Sequence, residues 1–112
     1  KFKGKKNTER IQILKDAKLL ERAGVFSIVL ECIESSLAKK ITATVSVPTI
    51  GIGASVHCDG QILVTDDLIG LNDISVRFVK KFGNIKKKIN DAVLNYKKEV
   101  IKVKFPQKKH SY

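Results

Sequence analysis

The residue with the clearest potential for chemistry is Glu31, which follows the apolar run VFSIVL at residues 25–30. Such a run is typical of a strand in a parallel sheet that is covered on both faces. Strand alternation places Glu31 on the same face as Val29. A poorly solvated carboxylate at a strand end is a competent general base near neutral pH. The structural alternative is that Glu31 caps the next helix or pairs with Lys39 or Lys40.

Other potentially reactive side chains form weaker patterns. Asp66 and Asp67 end the predicted third strand, where they either face the same rim as the glutamate or cap the next turn. Cys58 stands beside His57, but Cys32 is distant and no zinc-ligand spacing relates the three. We therefore predict no metal site built only from these three residues.

Two glycines flank Ile52 in a pattern that resembles part of a dinucleotide-binding fingerprint. Position 56 is Val56, so the third glycine is missing, and the segment leads into a loop and a strand instead of a helix. Gly51 and Gly53 are better explained by close approach of the backbone to a ligand or to a neighbouring strand.

Apolar periodicity and turn residues predict an alternating order of elements. The predicted order is a helix at 8–23, a strand at 25–30, a helix from 35 to about 45, strands at 49–53 and 61–65, a short helix near 74–82 and a helix at about 84–103. Asn7 or Thr8 is expected to cap the first helix, Gly24 to end it, and Ser35 or Ser36 to cap the second. This order predicts an α/β fold with about three parallel strands and flanking helices.

Length and charge limit the class of protein. The 112 residues suit one small domain, and no apolar stretch is long enough to span a membrane. The net charge is +11, yet the chain has only three arginines and no tryptophan, which argues against a focused nucleic-acid site. Two cysteines without a disulfide framework favour a reducing cytoplasm. The chain lacks methionine, so either its start was removed or it belongs to something longer.

Four segments in order resemble the ketopantoate hydroxymethyltransferase family. They are IVLEC at 28–32, LAKKIT at 37–42, VPTIGIGA at 47–54 and CDGQILV at 58–64. The resemblance implies the C-terminal part of a (β/α)8 TIM-type barrel over residues 1–105, followed by a basic tail at 106–112. A closed barrel of this kind needs about 250 residues, so this part is incomplete by itself.

The resemblance also implies an activity. The family is a cytoplasmic, folate-dependent transferase of pantothenate biosynthesis that moves a hydroxymethyl group from 5,10-methylenetetrahydrofolate to 3-methyl-2-oxobutanoate, giving 2-dehydropantoate. Glu31 corresponds to the proton acceptor of the family, and Ile52, Ile62 and Val64 are placed by strand position on the apolar side of the keto-acid pocket. The Mg2+ ligands belong to the N-terminal half, outside this chain. That half and further copies of the protein, a decamer in the family, are the implied partners.

Two departures from the family leave alternative hypotheses open. Ser55 stands where the family usually has glycine, which would stiffen or misplace a loop, and Asp66 stands where the family usually has histidine. The chain is then either the C-terminal part of the enzyme, inactive without the N-terminal half, or a non-enzymatic remnant of a truncated gene. A basic nucleic-acid-binding module is a third hypothesis.

Overall fold

The computed structural model describes residues 2–73 and 75–112, which form two compact units. The first unit comprises residues 2–63 and 76–79, and the second comprises residues 64–73, 75 and 80–112. The elements are α1 (Asn7–Arg22), β1 (Ile28–Glu31), α2 (Ser35–Thr44), β2 (Thr49–Ile52), β3 (Gly60–Gln61), α3 (Thr65–Leu68), α4 (Ile85–Ile101) and a short 3-10 helix at Lys108–His110. The predicted order is confirmed from α1 to β3 and for α4, but the short helix before α4 lies earlier in the chain than predicted.

The three strands form one parallel sheet in the order β1-β2-β3, as predicted. The third strand is much shorter than predicted, however, because the chain turns into α3 at Thr65. The backbone N–H groups of Asp67 and Leu68 donate to the carbonyl of Val64, so these residues form a helical turn. Asp66 and Asp67 therefore lie in the first turn of α3, and their predicted position at a strand end is wrong.

The core of the first unit lies on one face of the sheet. Ile28 and Leu30 of β1 pack with Leu37 and Ile41 of α2 and with Ala17 of α1, all of them buried. Leu37 and Ile41, four residues apart, thus lie on the buried face of α2. The opposite face of β1 is open, since both helices contribute their buried residues to the same side. The prediction that this strand is covered on both faces is wrong for the described chain.

The ends of α1 were only partly predicted. Gly24 has the expected left-handed backbone, with a φ of +88°, and its N–H donates to the carbonyl of Glu21. The start of α1 differs, because Lys6 occupies the capping position and makes no side-chain capping hydrogen bond. The predicted caps, Asn7 and Thr8, lie inside the helix.

The second unit contains the helices α3 and α4. Helix α4 was predicted nearly in full, and the side chain of Asn84 caps it by accepting from the N–H of Lys87. The helix predicted near 74–82 is not formed in residues 75–82, and Ile74 lies outside the described residues. The N–H of Phe82 donates to the carbonyl of Leu68, which holds this segment in a non-helical connection. Within residues 2–73 and 75–112, no helix is both long and apolar enough to cross a membrane.

Candidate functional site

Glu31 is the last residue of β1 and lies on the open face of the sheet. It pairs in register with Ile52 of β2, and Val29 pairs with Ile50 one step earlier on the same face. The carboxylate is exposed, and no described residue forms a hydrogen bond or an ion pair with it. Helix α2 is capped by a different residue, Glu34. The alternative in which Glu31 caps α2 or pairs with a lysine is therefore wrong for the described chain.

Two of the three residues predicted for an apolar pocket lie on the open face of the sheet with Glu31. Ile52 is its register partner, and the N–H of Ile62 donates to the carbonyl of Gly51 at 3.0 Å, which continues the pairing of β3 with β2. By alternation Ile62 then falls on the open face next to Ile52. Val64 belongs to the second unit, where it precedes α3. The sheet thus brings together one carboxylate and two isoleucines.

The N-terminus of α2 is organised by Glu34. Its carboxylate accepts hydrogen bonds from the hydroxyl of Ser36 at 2.6 Å, from the N–H groups of Ser36 and Leu37 at 3.0 Å each, and from the guanidinium of Arg10 at 2.5 Å. These bonds, led by the Ser36 hydroxyl, lower the pKa of Glu34 to about 2. The predicted capping by Ser35 or Ser36 is wrong, because the preceding carboxylate reaches the free N–H groups first.

Ser55 holds the loop between β2 and β3. The residue is only 6% exposed, and its hydroxyl oxygen lies 3.2 Å from the hydroxyl of Ser35 at the start of α2. The same oxygen accepts from the N–H of His57 at 3.2 Å, and the carbonyl accepts from the side-chain amide of Gln61 at 2.7 Å. Glycine has no side chain, so it could make neither of the two hydrogen bonds of the Ser55 hydroxyl. Ser55 therefore ties the loop to α2 through a hydroxyl contact that a glycine at this position could not make.

The two glycines of β2 and its following turn are packed against other parts of this chain. A Cβ on Gly51 would lie 3.0 Å from Cys58 Sγ and from the side chain of Gln61. Gly53 has a φ of +62°, and a Cβ there would lie 2.7 Å from Cγ of Phe78. The predicted close approach to a neighbouring strand is confirmed at Gly51, while Gly53 makes room for an aromatic ring.

A cavity of about 630 Å3 lies in the first unit, beyond the carboxyl ends of β1 and β2. The residues that line it include Phe2 and Phe78, Ser35 and Ser55, and Arg77. Glu31, Ile52 and Ile62 do not line it. Local sequence patterns do not indicate this cavity, because the cavity forms where four separate segments of the chain meet.

The N-terminal segment reaches this cavity through an unpredicted β-bridge. The N–H of Lys3 donates to the carbonyl of Cys32, and the N–H of Glu34 donates to the carbonyl of Lys3, both at 2.8 Å. This pairing fixes Phe2 beside the carboxyl end of β1. Backbone pairing of a lysine-rich segment leaves no hydrophobic pattern, which is why sequence reasoning missed it.

The described residues do not form a metal site. Within 2–73 and 75–112, no three His, Cys, Asp or Glu side chains are grouped closely enough to hold a metal ion. Mg2+ prefers carboxylate and other oxygen ligands. The carboxylate of Asp59, an acidic residue of the first unit, accepts a hydrogen bond from the N–H of Thr49 at 2.8 Å. Cys32 and Cys58 are both free thiols. The side chains of residues 2–73 and 75–112 alone therefore do not fit Mg2+.

Comparison with known proteins gives a consistent relationship. The sequence model of ketopantoate hydroxymethyltransferase matches residues 1–108. A 3-methyl-2-oxobutanoate hydroxymethyltransferase of Pelagibacter ubique is 75% identical over the whole chain, which covers 44% of that relative. A protein of the same name from Clostridium botulinum (strain Langeland) is 50% identical over 100% of the chain, which covers 41% of that relative. Another from Sulfurisphaera tokodaii is 52% identical over 96% of the chain, which covers 40% of that relative. The chain spans about two-fifths of these curated relatives, and it belongs to the ketopantoate hydroxymethyltransferase family.

Proposed function

We propose that this chain is the C-terminal part of the (β/α)8 barrel of a 3-methyl-2-oxobutanoate hydroxymethyltransferase and that it carries the general base. The complete enzyme would transfer a hydroxymethyl group from 5,10-methylenetetrahydrofolate to 3-methyl-2-oxobutanoate and form 2-dehydropantoate. Family membership over residues 1–108 supports the reaction class. The observation that carries the proposal is the position of Glu31, at the carboxyl end of a parallel strand on the open face of the sheet.

The role proposed for Glu31 is removal of a proton from the carbon next to the keto group. Its carboxylate accepts this proton, and the carbanion left behind forms a carbon–carbon bond to the one-carbon unit of the folate co-substrate. Both carbon–nitrogen bonds between this unit and the folate break, a water molecule supplies the hydroxyl oxygen, and two protons go to the folate nitrogens. Pairing with β2 fixes the backbone of Glu31, so its carboxylate is presented from a rigid element. In our proposal Ile52 and Ile62 form an apolar wall that limits access of water to the carboxylate.

The open face of the sheet supports its assignment to a barrel interior. Val29 is 58% exposed and Ile50 and Ile52 are partly exposed, so an apolar surface next to Glu31 has no cover within the described residues. Barrel interiors are filled by side chains from all strands. We infer that the remaining strands, supplied by the N-terminal part of the protein, cover this face. The same part would supply the ligands for Mg2+, whose chemistry is polarisation of the keto acid.

The proposed assembly and location follow the family. We propose a homo-oligomer, a decamer when the enzyme is complete, that works in the cytoplasm. The two free cysteines are compatible with a reducing compartment. Neither property depends on the role of Glu31, so each can fail without affecting the proposed chemistry.

A hybrid enzyme tests the role of Glu31. The chain replaces the corresponding 112 residues of the Pelagibacter ubique relative, with which it is 75% identical. We expect the hybrid to form 2-dehydropantoate, and we expect Glu31→Gln to lower kcat by about 100-fold or more, the usual contribution of a general base. Glu99→Gln, in α4 of the second unit, is the matched control and should leave kcat unchanged. The isolated chain should show no turnover.

Each alternative has its own outcome in this experiment. Unchanged turnover in Glu31→Gln would remove Glu31 from the mechanism. A folded hybrid without any turnover would favour the non-enzymatic remnant, and the substitutions Ser55→Gly and Asp66→His would then be expected to restore activity. A nucleic-acid-binding module would instead require tight binding by the chain that falls steeply with salt concentration.

A further inference from the structure

The cavity of the first unit has the construction of a ligand site. Its volume of about 630 Å3 falls within the range of about 300–1,000 Å3 that is typical of small-molecule pockets. Such pockets are mainly apolar with a few polar groups that fix the ligand. Here Phe2 and Phe78 are the aromatic residues of the lining, and Ser35, Ser55 and Arg77 are among its polar residues.

The aromatic wall is held in place by the backbone of the first unit. Phe78 packs on Gly53, where any Cβ would lie 2.7 Å from Cγ of the ring. The bridge between Lys3 and the residues after β1 fixes the opposite wall, because it positions the neighbouring Phe2. Contact with Gly53 therefore positions the ring of Phe78, and the bridge fixes the backbone beside Phe2.

The electrostatic character of the cavity is positive. Of the two charged residues that line it, Glu34 is neutralised by its ion pair with Arg10 and by the N–H groups that it caps. Arg77 makes no ion pair with any residue in 2–73 or 75–112. A guanidinium without a carboxylate partner, at the wall of a mostly apolar cavity, is suited to a planar anion such as a carboxylate.

We propose that this cavity binds a small organic carboxylate with a flat apolar body. Arg77 binds the carboxylate group, while Phe2 and Phe78 contact the apolar body. The site is separate from the open face of the sheet, since Glu31, Ile52 and Ile62 do not line the cavity. The proposal concerns binding by this chain and does not depend on the proposed transferase activity.

Binding of a matched pair of probes tests the proposal. 2-Naphthoate and the uncharged 2-naphthamide share one flat body and differ in the charged group, and each is titrated into the 112-residue chain by fluorescence. We expect naphthoate to bind at least about tenfold more tightly than naphthamide. Arg77→Gln should remove this difference and leave naphthamide binding unchanged. Phe78→Ala should weaken binding of both probes.

The control variant addresses the high charge of the chain. Arg22→Gln removes the same unit of charge from the last turn of α1, and it should leave the preference for naphthoate intact. Arg77→Lys should retain part of that preference, because it keeps a cation without the planar fork. Equal affinity for both probes, or equal effects of Arg77→Gln and Arg22→Gln, would overturn the proposal. Circular dichroism of each variant confirms that it is folded before the affinities are compared.

Discussion

Replacing Leu30 and Val29 with alanine, one at a time, tests the assignment of a covered face and an open face to β1. The two residues are neighbours on one strand, but Leu30 is 4% exposed in the core and Val29 is 58% exposed. Removing a buried leucine side chain costs about 2–5 kcal/mol of unfolding free energy. Val29→Ala removes two methyl groups that are already half exposed, and alanine has a weaker strand preference than valine. Together these effects cost about 1 kcal/mol or less of unfolding free energy.

Urea unfolding of the isolated chain measures this difference. A small domain loses about 1–3 kcal/mol of stability per molar urea, so Leu30→Ala should lower the unfolding midpoint by about 1 M or more. Val29→Ala should shift the midpoint by less than half of that. Because small domains are stable by only about 5–15 kcal/mol, the first change is a large fraction of the total.

The same pair of variants distinguishes the isolated chain from the complete barrel. In the hybrid with the Pelagibacter ubique relative, the open face is expected to become covered, so the cost of Val29→Ala should rise towards that of a buried valine. If Val29→Ala is as costly as Leu30→Ala in the isolated chain, the face is already covered and the reasoning about an open sheet fails. If its cost is small in both proteins, the face is not a barrel interior.

Three further predictions concern the carboxyl ends of the strands. The pKa of Glu34 is lowered from 4.5 to about 2, so its stabilising effect should be complete above pH 4.5 and lost as the pH falls towards 2. Urea midpoints measured across this range should depend less on pH in Glu34→Gln than in the parent chain. Ser55→Gly should cost about 1 kcal/mol and speed hydrogen exchange of the His57 amide, with Ser55→Ala as the control that isolates the hydroxyl. Gly53→Ala should cost at least about 1 kcal/mol, because it places a Cβ against Phe78 at a φ of +62°, and a shift of the Phe78 ring resonances would report it.

The elements of the first unit were predictable where local patterns agree with the packing. Helix α2 is an example, since Leu37 and Ile41 follow the helical period and are the residues that the core buries. Gly24 ended α1 as expected because a left-handed backbone there has a strong residue preference. In both cases the residues that predict the helix or its end lie within that helix or directly after it.

The remaining features depend on contacts between distant residues. The capping of α2 by Glu34 is favoured by Arg10, which is 24 residues away in the sequence. Likewise, the apolar segment 61–65 predicted a longer third strand, but the chain turns from β3 into α3 and the strand ends at Gln61. The cavity could not be predicted because its walls come from segments near residues 2, 32–35, 53–56 and 76–78. The one local indication of the cavity in the sequence is Arg77, which is one of three arginines in a lysine-rich chain.

The turns that follow β1 and β2 explain how two adjacent strand ends contribute to two different surfaces. Glu31 is the last residue of β1 and lies on the open face, whereas Cys32, with a φ of 52°, already lines the cavity. The same change occurs after β2, where Ile52 lies on the open face and Gly53, also with a positive φ, lines the cavity. A left-handed residue directly after each strand interrupts the alternation of side chains, so consecutive residues contact separate environments. Proton abstraction is therefore proposed for Glu31 on the open face and ligand binding for the cavity, and the two proposals are tested by different variants.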